Sequence, residues 1–191
     1  MSLEQRRNQL IALLNDPEEE VRTAAAAALE RLESLQSLAQ VLEDLNSDKR
    51  GQRVKAILAM ESIQSPEIFP PLIKLLEDPE ADIRGTAIQV LGVKAHPKSL
   101  GNLIKHLKDP SPAVRVHTAE ALGHFRDARL VPYLAELLGD ADEQLVISAA
   151  HSLGSIGAPE AVDALTKLTE DERASVRVAA IEALSVLPLK E

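Results

Sequence analysis

The sequence predicts an all-α fold, a right-handed solenoid of six two-helix repeats with a 31-residue period, and three observations predict it. Arg22, Arg53, Arg84, Arg115 and Arg177 lie at multiples of 31 residues from one another, with Val146 where a sixth would stand. Leu29, Met60, Leu91, Leu122, Leu153 and Leu184 keep the same interval, with no insertion or deletion between registers. Each register also carries two apolar sets at helical spacing, one around Leu10, Val41, Leu72, Leu103, Leu134 and Leu165 and one around the Leu29 series. A short unit of this kind cannot bury its apolar side alone and does so only by stacking on neighbours.

Taken in order, each register reads as a first helix, a turn and a second helix. Asp16-Pro17, Asp78-Pro79 and Asp109-Pro110 place a capping acceptor beside a Pro whose missing N–H costs nothing at a helix start, and Asp140 and Asp171 keep the Asp alone. Pro66, Pro97 and Pro159, with Ala128 once in their place, end one unit before the next begins. Gly92, Gly123, Gly154 and Gly157 are expected at helix ends. The pattern predicts helices over 3–14, 18–33, 36–46, 50–64, 67–77, 81–95, 98–108, 112–126, 129–139, 143–157, 160–169 and 174–187. These fill repeats 3–34, 35–65, 66–96, 97–127, 128–158 and 159–191 of one repeat domain, 1–191. The small column Ala28, Ala59, Val90, Ala121, Ser152 and Ala183 suits close helix packing, and the Ala24–Ala28 block reads as a tightly packed helix.

Composition narrows the function classes. A formal charge of −9 repels phosphates and argues against general nucleic-acid binding. There is no Cys, hence no disulfide framework or thiolate chemistry, and residues 1–7 lack the apolar core of a signal peptide, so the cytoplasm is the expected location. The longest apolar run, Ala24 to Leu29, is far below the roughly 20 residues of a spanning helix.

The Asp, the Arg six residues on with Val before it, and the Ala-Leu-Gly behind, as in Asp109, Val114-Arg115 and Ala121-Leu122-Gly123, resemble the HEAT repeat, in the short form of phycobilisome-lyase-like proteins. The resemblance covers essentially the whole chain. It implies an interior ladder of Asp and Arg side chains, here Asp16, Arg22, Arg53, Asp78, Arg84, Asp109, Arg115, Asp171 and Arg177, with structural roles. Ser47 and Val146 are the defective rungs.

The framework columns leave a stripe of second-helix positions that varies between registers, and variation within one molecule is where recognition can be encoded. It includes Arg31, Ser62, Thr86, Ser148 and Ser155, and the members expected to form the partner-binding surface are Lys55, Gln89, His117, Glu120, His124, His151 and Glu182. In solenoids of this type the second helices line the concave side, giving a binding surface on the order of 50 Å long at about 9 Å per layer. His117, Glu120 and His151 have metal-capable side chains; His117 and His124 stand about 10 Å apart along a helix, so all four residues with His124 do not easily share one ion, while one His with Glu120 and His151 could converge. A HEAT-like enzyme, deoxyhypusine hydroxylase, takes its iron ligands from His-Glu pairs, and this chain contains no His-Glu dipeptide. No Gly-x-Ser-x-Gly elbow, phosphate-cradling Gly-rich loop or His-Glu-x-x-His motif occurs either. His96 and His106 are expected to be isolated residues facing solvent or in loops.

The expected function is a non-catalytic scaffold or adaptor, without cofactor, that binds another protein through the second-helix surface. The alternatives are a chromophore (bilin) lyase-like subunit, which the resemblance permits, and a metalloenzyme of the HEAT-like hydroxylase type. The last helix, with Val176, Val178, Ile181, Leu184, Val186, Leu187 and Leu189 apolar on more than one side, adds possible self-association.

Overall fold

A computed structural model of the chain describes residues 1–188, which form helices and turns and no strand. None of the described helices is long and apolar enough to cross a membrane. The chain divides into two compact units, Met1–Ile68 and Phe69–Glu191.

The first unit holds α1 (Leu3–Leu13), α2 (Glu19–Asp44), α3 (Arg50–Ala59) and a 3-10 turn at Pro66–Ile68. A capping box opens α1: the Gln5 amide donates to Ser2 Oγ at 3.2 Å and the Ser2 amide to Gln5 Oε1 at 2.8 Å. α1 packs on α2 but contains no buried residue. Where helices over 18–33 and 36–46 were expected, α2 runs unbroken. The columns that break later registers here hold Leu35, in register with Pro66, Pro97 and Pro159, and Glu33, in register with the left-handed residues described below. With no Pro and no left-handed residue, good helix formers carry the helix on. The Ala24–Ala28 block is not the packed seam expected of it, since Ala25 is buried and its four Ala neighbours are exposed. α3 stops at Ala59, five residues short of the expected end.

The second unit holds α4 (Phe69–Leu75), α5 (Ala81–Lys94), α6 (Leu100–Lys105), α7 (Pro112–Gly123), α8 (Val131–Glu136), α9 (Glu143–Ile156), α10 (Val162–Leu168) and α11 (Ala174–Val186). The first segment of a pair is not the uniform helix expected. α6 and α8 are short α-helices with 3-10 turns at both ends, and α10 has one at its start. Entry is fixed by side-chain caps in one column: Ser65 Oγ, His96 Nδ1 and Asp127 Oδ1 accept backbone amides two residues on. Exit is fixed by Asp16, Asp78, Asp109, Asp140 and Asp171, whose Oδ1 atoms accept the amide two residues on at 2.8–2.9 Å; Ser47 Oγ does the same at 3.2 Å. One turn chemistry therefore recurs at 31-residue intervals.

α5, α7, α9 and α11 pack side by side in that order, and α4, α6, α8 and α10 each pack on the second helix that follows. Gly92, Gly123 and Gly154 make that row possible. A Cβ on Gly92 would lie 2.6 Å from Ala121 Cβ, one on Gly123 2.8 Å from Ser152 Oγ, and one on Gly154 2.9 Å from Ala183 Cα. Gly123 ends α7 and Gly92 and Gly154 stand two residues inside the ends of α5 and α9, so these glycines lie at the helix ends as expected and serve there as contact residues. Ser152 fills the notch at Gly123 and donates to Ala119 O at 2.8 Å. The equivalent positions in the first unit are Glu30 and Glu61, and Ala28 and Ala59 of the small column are exposed there. Gly157 does end a helix, at φ 71°, and Ala95 (φ 44°) and Arg126 (φ 49°) take the same left-handed conformation at 31-residue intervals before it.

In α11, Val176, Ala179, Ala180 and Ala183 are buried, as is Leu187 just beyond it, while Val178, Ile181 and Val186 are exposed. Val178 and Ile181 occupy the columns of Ile147 and Ala150, which α9 turns toward α11. Leu189 lies outside the described residues.

Candidate functional site

The repeating Asp and Arg residues are engaged with the framework. Arg22 Nη1 donates to Asp16 O and Pro17 O, both at 2.8 Å, Arg84 Nη1 to Asp78 O at 2.8 Å, Arg115 Nη1 to Asp109 O at 3.1 Å, and Arg177 Nη1 to Asp171 O at 2.7 Å. Each guanidinium thus closes the turn six residues before it. Arg53 is half-buried in α3. Arg84 also spans registers: its Nε and Nη2 reach Asp109 Oδ2 and Oδ1 at 2.9 and 2.7 Å, a two-pronged pair with side chains 12% and 3% exposed. His106 Nδ1, 3.3 Å from Asp109 Oδ2, completes the cluster. Burial by itself would raise the Asp109 carboxyl, but Arg84, the Ser111 amide and His106 draw it below the ordinary carboxylate range.

Register five lacks its Arg, and a residue from the next register stands in. Arg173 Nη1 reaches Asp140 O at 3.2 Å, the carbonyl that an Arg at position 146 would meet by the pattern of Arg22, Arg84 and Arg177. The same guanidinium pairs with Asp171 at 2.9 Å and holds its carboxyl at about 2. His96 stands in a loop, as expected, but neither it nor His106 is isolated. His96 caps the Lys98 amide and lies against Phe69, ring centres 4.1 Å apart. A His at 106, where the neighbouring registers carry Leu75 and Leu137, was the available signal.

The variable positions form a different set, exposed at Gln89, Glu120, His151 and Glu182, half-buried at His117 and buried at Ser148. Gln89 Nε2 of α5 lies 3.3 Å from His117 Nδ1 of α7; that nitrogen is 3.5 Å from Glu120 Oε2; and Ser148 Oγ of α9 donates to Glu120 Oε1 at 3.1 Å. A polar line therefore crosses three helices. Gly85 supports it from below, since a Cβ there would stand 3.1 Å from His117 Cδ2. Farther along, His151 Nε2 of α9 meets Glu182 Oε2 of α11 at 3.2 Å. His124 sits where α7 ends and is exposed, and Lys55 is exposed on α3 of the first unit. Ser148, on the variable stripe but not among the seven residues expected to form the binding surface, joins the line because its hydroxyl is within reach of the long Glu120 side chain.

His117, Glu120 and His151 do not converge as metal ligands. Glu120 turns to His117 and Ser148, and His151 turns to Glu182. Among the described residues no group of three or more His, Cys, Asp or Glu could hold a metal ion.

Three family models match parts of the chain: HEAT repeats over residues 100–185, the HEAT repeat over 7–35 and 68–93, and the PBS lyase HEAT-like repeat over 52–78. No curated protein matches the sequence at a significant level. Among solved structures, the complex of CpcE and CpcF of phycocyanin lyase from Nostoc sp. PCC7120 is similar at 24% identity and a TM-score of 0.68. The match covers 78% of this chain and 64% of that one, less than two thirds of its length. YIBA_ECOLI is similar at 22% identity and a TM-score of 0.64, over 96% of this chain and 72% of that one. A designed armadillo repeat protein in complex with the peptide (KR)4 is similar at 20% identity and a TM-score of 0.63, over 98% and 100%. At these identities the likeness is one of fold.

Proposed function

For a chain with a HEAT-like repeat fold, we propose a non-catalytic scaffold or adaptor that binds a protein partner along the variable surface of its second helices. The observation that carries the reading is the polar line Gln89–His117–Glu120, anchored on the buried Ser148 and continued by the exposed His151–Glu182 pair. Side chains already held by neighbours lose little entropy on docking a partner, whereas a merely solvated surface has no reason to be tied across four helices. In the second unit the row of second helices is drawn together at Gly92, Gly123 and Gly154, the arrangement a concave inner side requires. The similar designed armadillo protein is described in complex with a peptide, a precedent for this use of the fold.

The test compares three proteins in capture from the native cell: the wild-type chain, the double variant Glu120→Lys/Glu182→Lys, and Glu136→Lys on α8 as a control. The expected result is a partner retained by the wild type and the control and lost by the double variant, with all three melting within a few degrees. A partner lost by Glu136→Lys and kept by the double variant overturns the assignment of the surface.

Two observations favour a second reading. The match to the PBS lyase HEAT-like repeat and the likeness to a phycocyanin lyase complex support a bilin lyase-like subunit. Visible absorbance of the protein after incubation with a bilin, carried through gel filtration, tests it; absence of bound chromophore removes it.

A further inference from the structure

Near the C-terminal end of the same surface, a hollow of about 600 Å³ lies between the ends of α9 and α11, lined by Arg126, His151, Ser155, Ile156, Glu182 and Val186. Its volume falls in the range of specific ligand pockets. Gly154 and Gly157 also line it, and a Cβ on Gly157 would meet nothing within 4 Å.

The left-handed backbone of Arg126, φ 49°, belongs to the repeat, being shared with Ala95 one register earlier and Gly157 one register later, and it strains an Arg where it does not strain Gly. One feature singles out Arg126. Its guanidinium makes no hydrogen bond or ion pair among the described residues, unlike Arg22, Arg84, Arg115, Arg173 and Arg177. The other full charge in the lining, Glu182, is already engaged by His151. Arg126 is therefore the one full charge of the lining with no partner among the described residues. Beside it, Ser155 offers a hydroxyl, and Ile156 and Val186 form an apolar wall.

We propose that this hollow is a specificity pocket for an acidic side chain of the partner, its carboxylate paired with the Arg126 guanidinium and an adjoining aliphatic residue packed on Ile156 and Val186. A carboxylate meets the fork of an Arg with two parallel hydrogen bonds, which a neutral amide or a cation does not. The proposal rests on the second-helix surface being the binding surface, and it adds the chemistry read at one end of it.

The experiment measures binding of fluorescein-labelled peptides of alternating Leu and Glu, alternating Leu and Lys, and alternating Leu and Gln, each to the full chain, to Arg126→Gly and to Arg126→Lys. The expected order is Glu above Gln above Lys, with the Glu peptide at least about tenfold weaker on Arg126→Gly. Arg126→Lys, which keeps the charge without the fork, should fall between. Because Gly suits the left-handed position, Arg126→Gly should melt no lower than wild type and about 2 °C higher, so lost binding is not lost folding. Equal binding of the Glu and Lys peptides, no binding of the Glu peptide, or unchanged binding to Arg126→Gly each overturns the pocket. None of these outcomes touches the scaffold reading, which stands or falls on the Glu120/Glu182 capture experiment.

Discussion

Asp109 shows how much a single repeat residue can carry. Its two oxygens take hydrogen bonds from Arg84 Nε and Nη2 and from the Ser111 amide, with His106 close by, so its acceptor sites are filled in a nearly dry setting. Replacing Arg84 by Met leaves that carboxylate buried and half-satisfied, at an expected cost of about 2–4 kcal/mol at neutral pH. The pH dependence follows from the lowered Asp109 pKa. A carboxyl held below its unfolded value near 3.9 contributes stability that is complete above that value and is lost as pH falls through the folded pKa. Urea melts of wild type and Arg84→Met should differ fully at pH 7 and converge below about pH 4; an offset that persists undiminished in acid contradicts the pairing. Gly123 makes a second residue-scale test. Ala at an ordinary helical position gains up to about 1 kcal/mol over Gly, yet here the new methyl would stand 2.8 Å from Ser152 Oγ and 3.1 Å from Ser152 Cα. Overpacking against backbone should win, and Gly123→Ala should lose about 1–3 kcal/mol in thermal or urea unfolding. A variant more stable than wild type would show that the row of second helices can open at no cost.

At the scale of elements, legibility followed the kind of signal. The starts of α5, α7, α9 and α11 agree with the expected 81, 112, 143 and 174, because the turns made by Asp78, Asp109, Asp140 and Asp171 are written in local residues. Where a boundary depended on a missing breaker, the periodicity misled: the ruler asked for a break near 34, and the chain at Glu33-Ser34-Leu35 gave the backbone no reason to make one. The contact role of Gly92, Gly123 and Gly154 was hidden for a related reason, since a Gly at or near a helix end looks the same in sequence whether it frees the backbone or admits a neighbour. The polar line was half legible. Register placed Gln89, His117, Glu120, His151 and Glu182 on one stripe, but side-chain reach decided that Glu120 would meet Ser148 and that His151 would meet Glu182. α2 offers the direct test of the missing-breaker explanation. Ser34-Leu35 stands in register with Ser65-Pro66, where Ser65 Oγ caps a 3-10 turn. Leu35→Pro should therefore split α2 near residue 34, at a cost of about 3 kcal/mol or less if Ser34 supplies the cap. Amide exchange would show residues 33–37 losing protection while α3 keeps its own. Continuous protection across 33–37 would contradict it.

For the whole molecule, the distribution of close packing makes the most general prediction. In an array whose units touch only neighbours, stability is local, set by what each layer buries against the next. α1 buries no residue, and α2 buries Ala25, Leu32, Leu38 and Val41 along 26 residues. α9 buries Leu145, Val146, Ser148, Ala149, Ala150, Ser152, Leu153, Gly154 and Ile156 within 14, between α7 and α11 in the tightly approached row. Opening α1 exposes little apolar surface, whereas opening α9 uncovers two helix contacts at once, and each buried aliphatic side chain is worth about 1.5–3 kcal/mol. Native-state hydrogen exchange should accordingly show α1 amides opening with little free energy and α9 amides exchanging only by the largest openings of the second unit. Gly123→Ala, which loosens α7 against α9, should lower protection in those two helices and leave α1 unchanged. Uniform protection from α1 to α9, or a Gly123→Ala effect spread evenly over both units, would mean that the chain opens as a single cooperative block and that its stability is not set layer by layer.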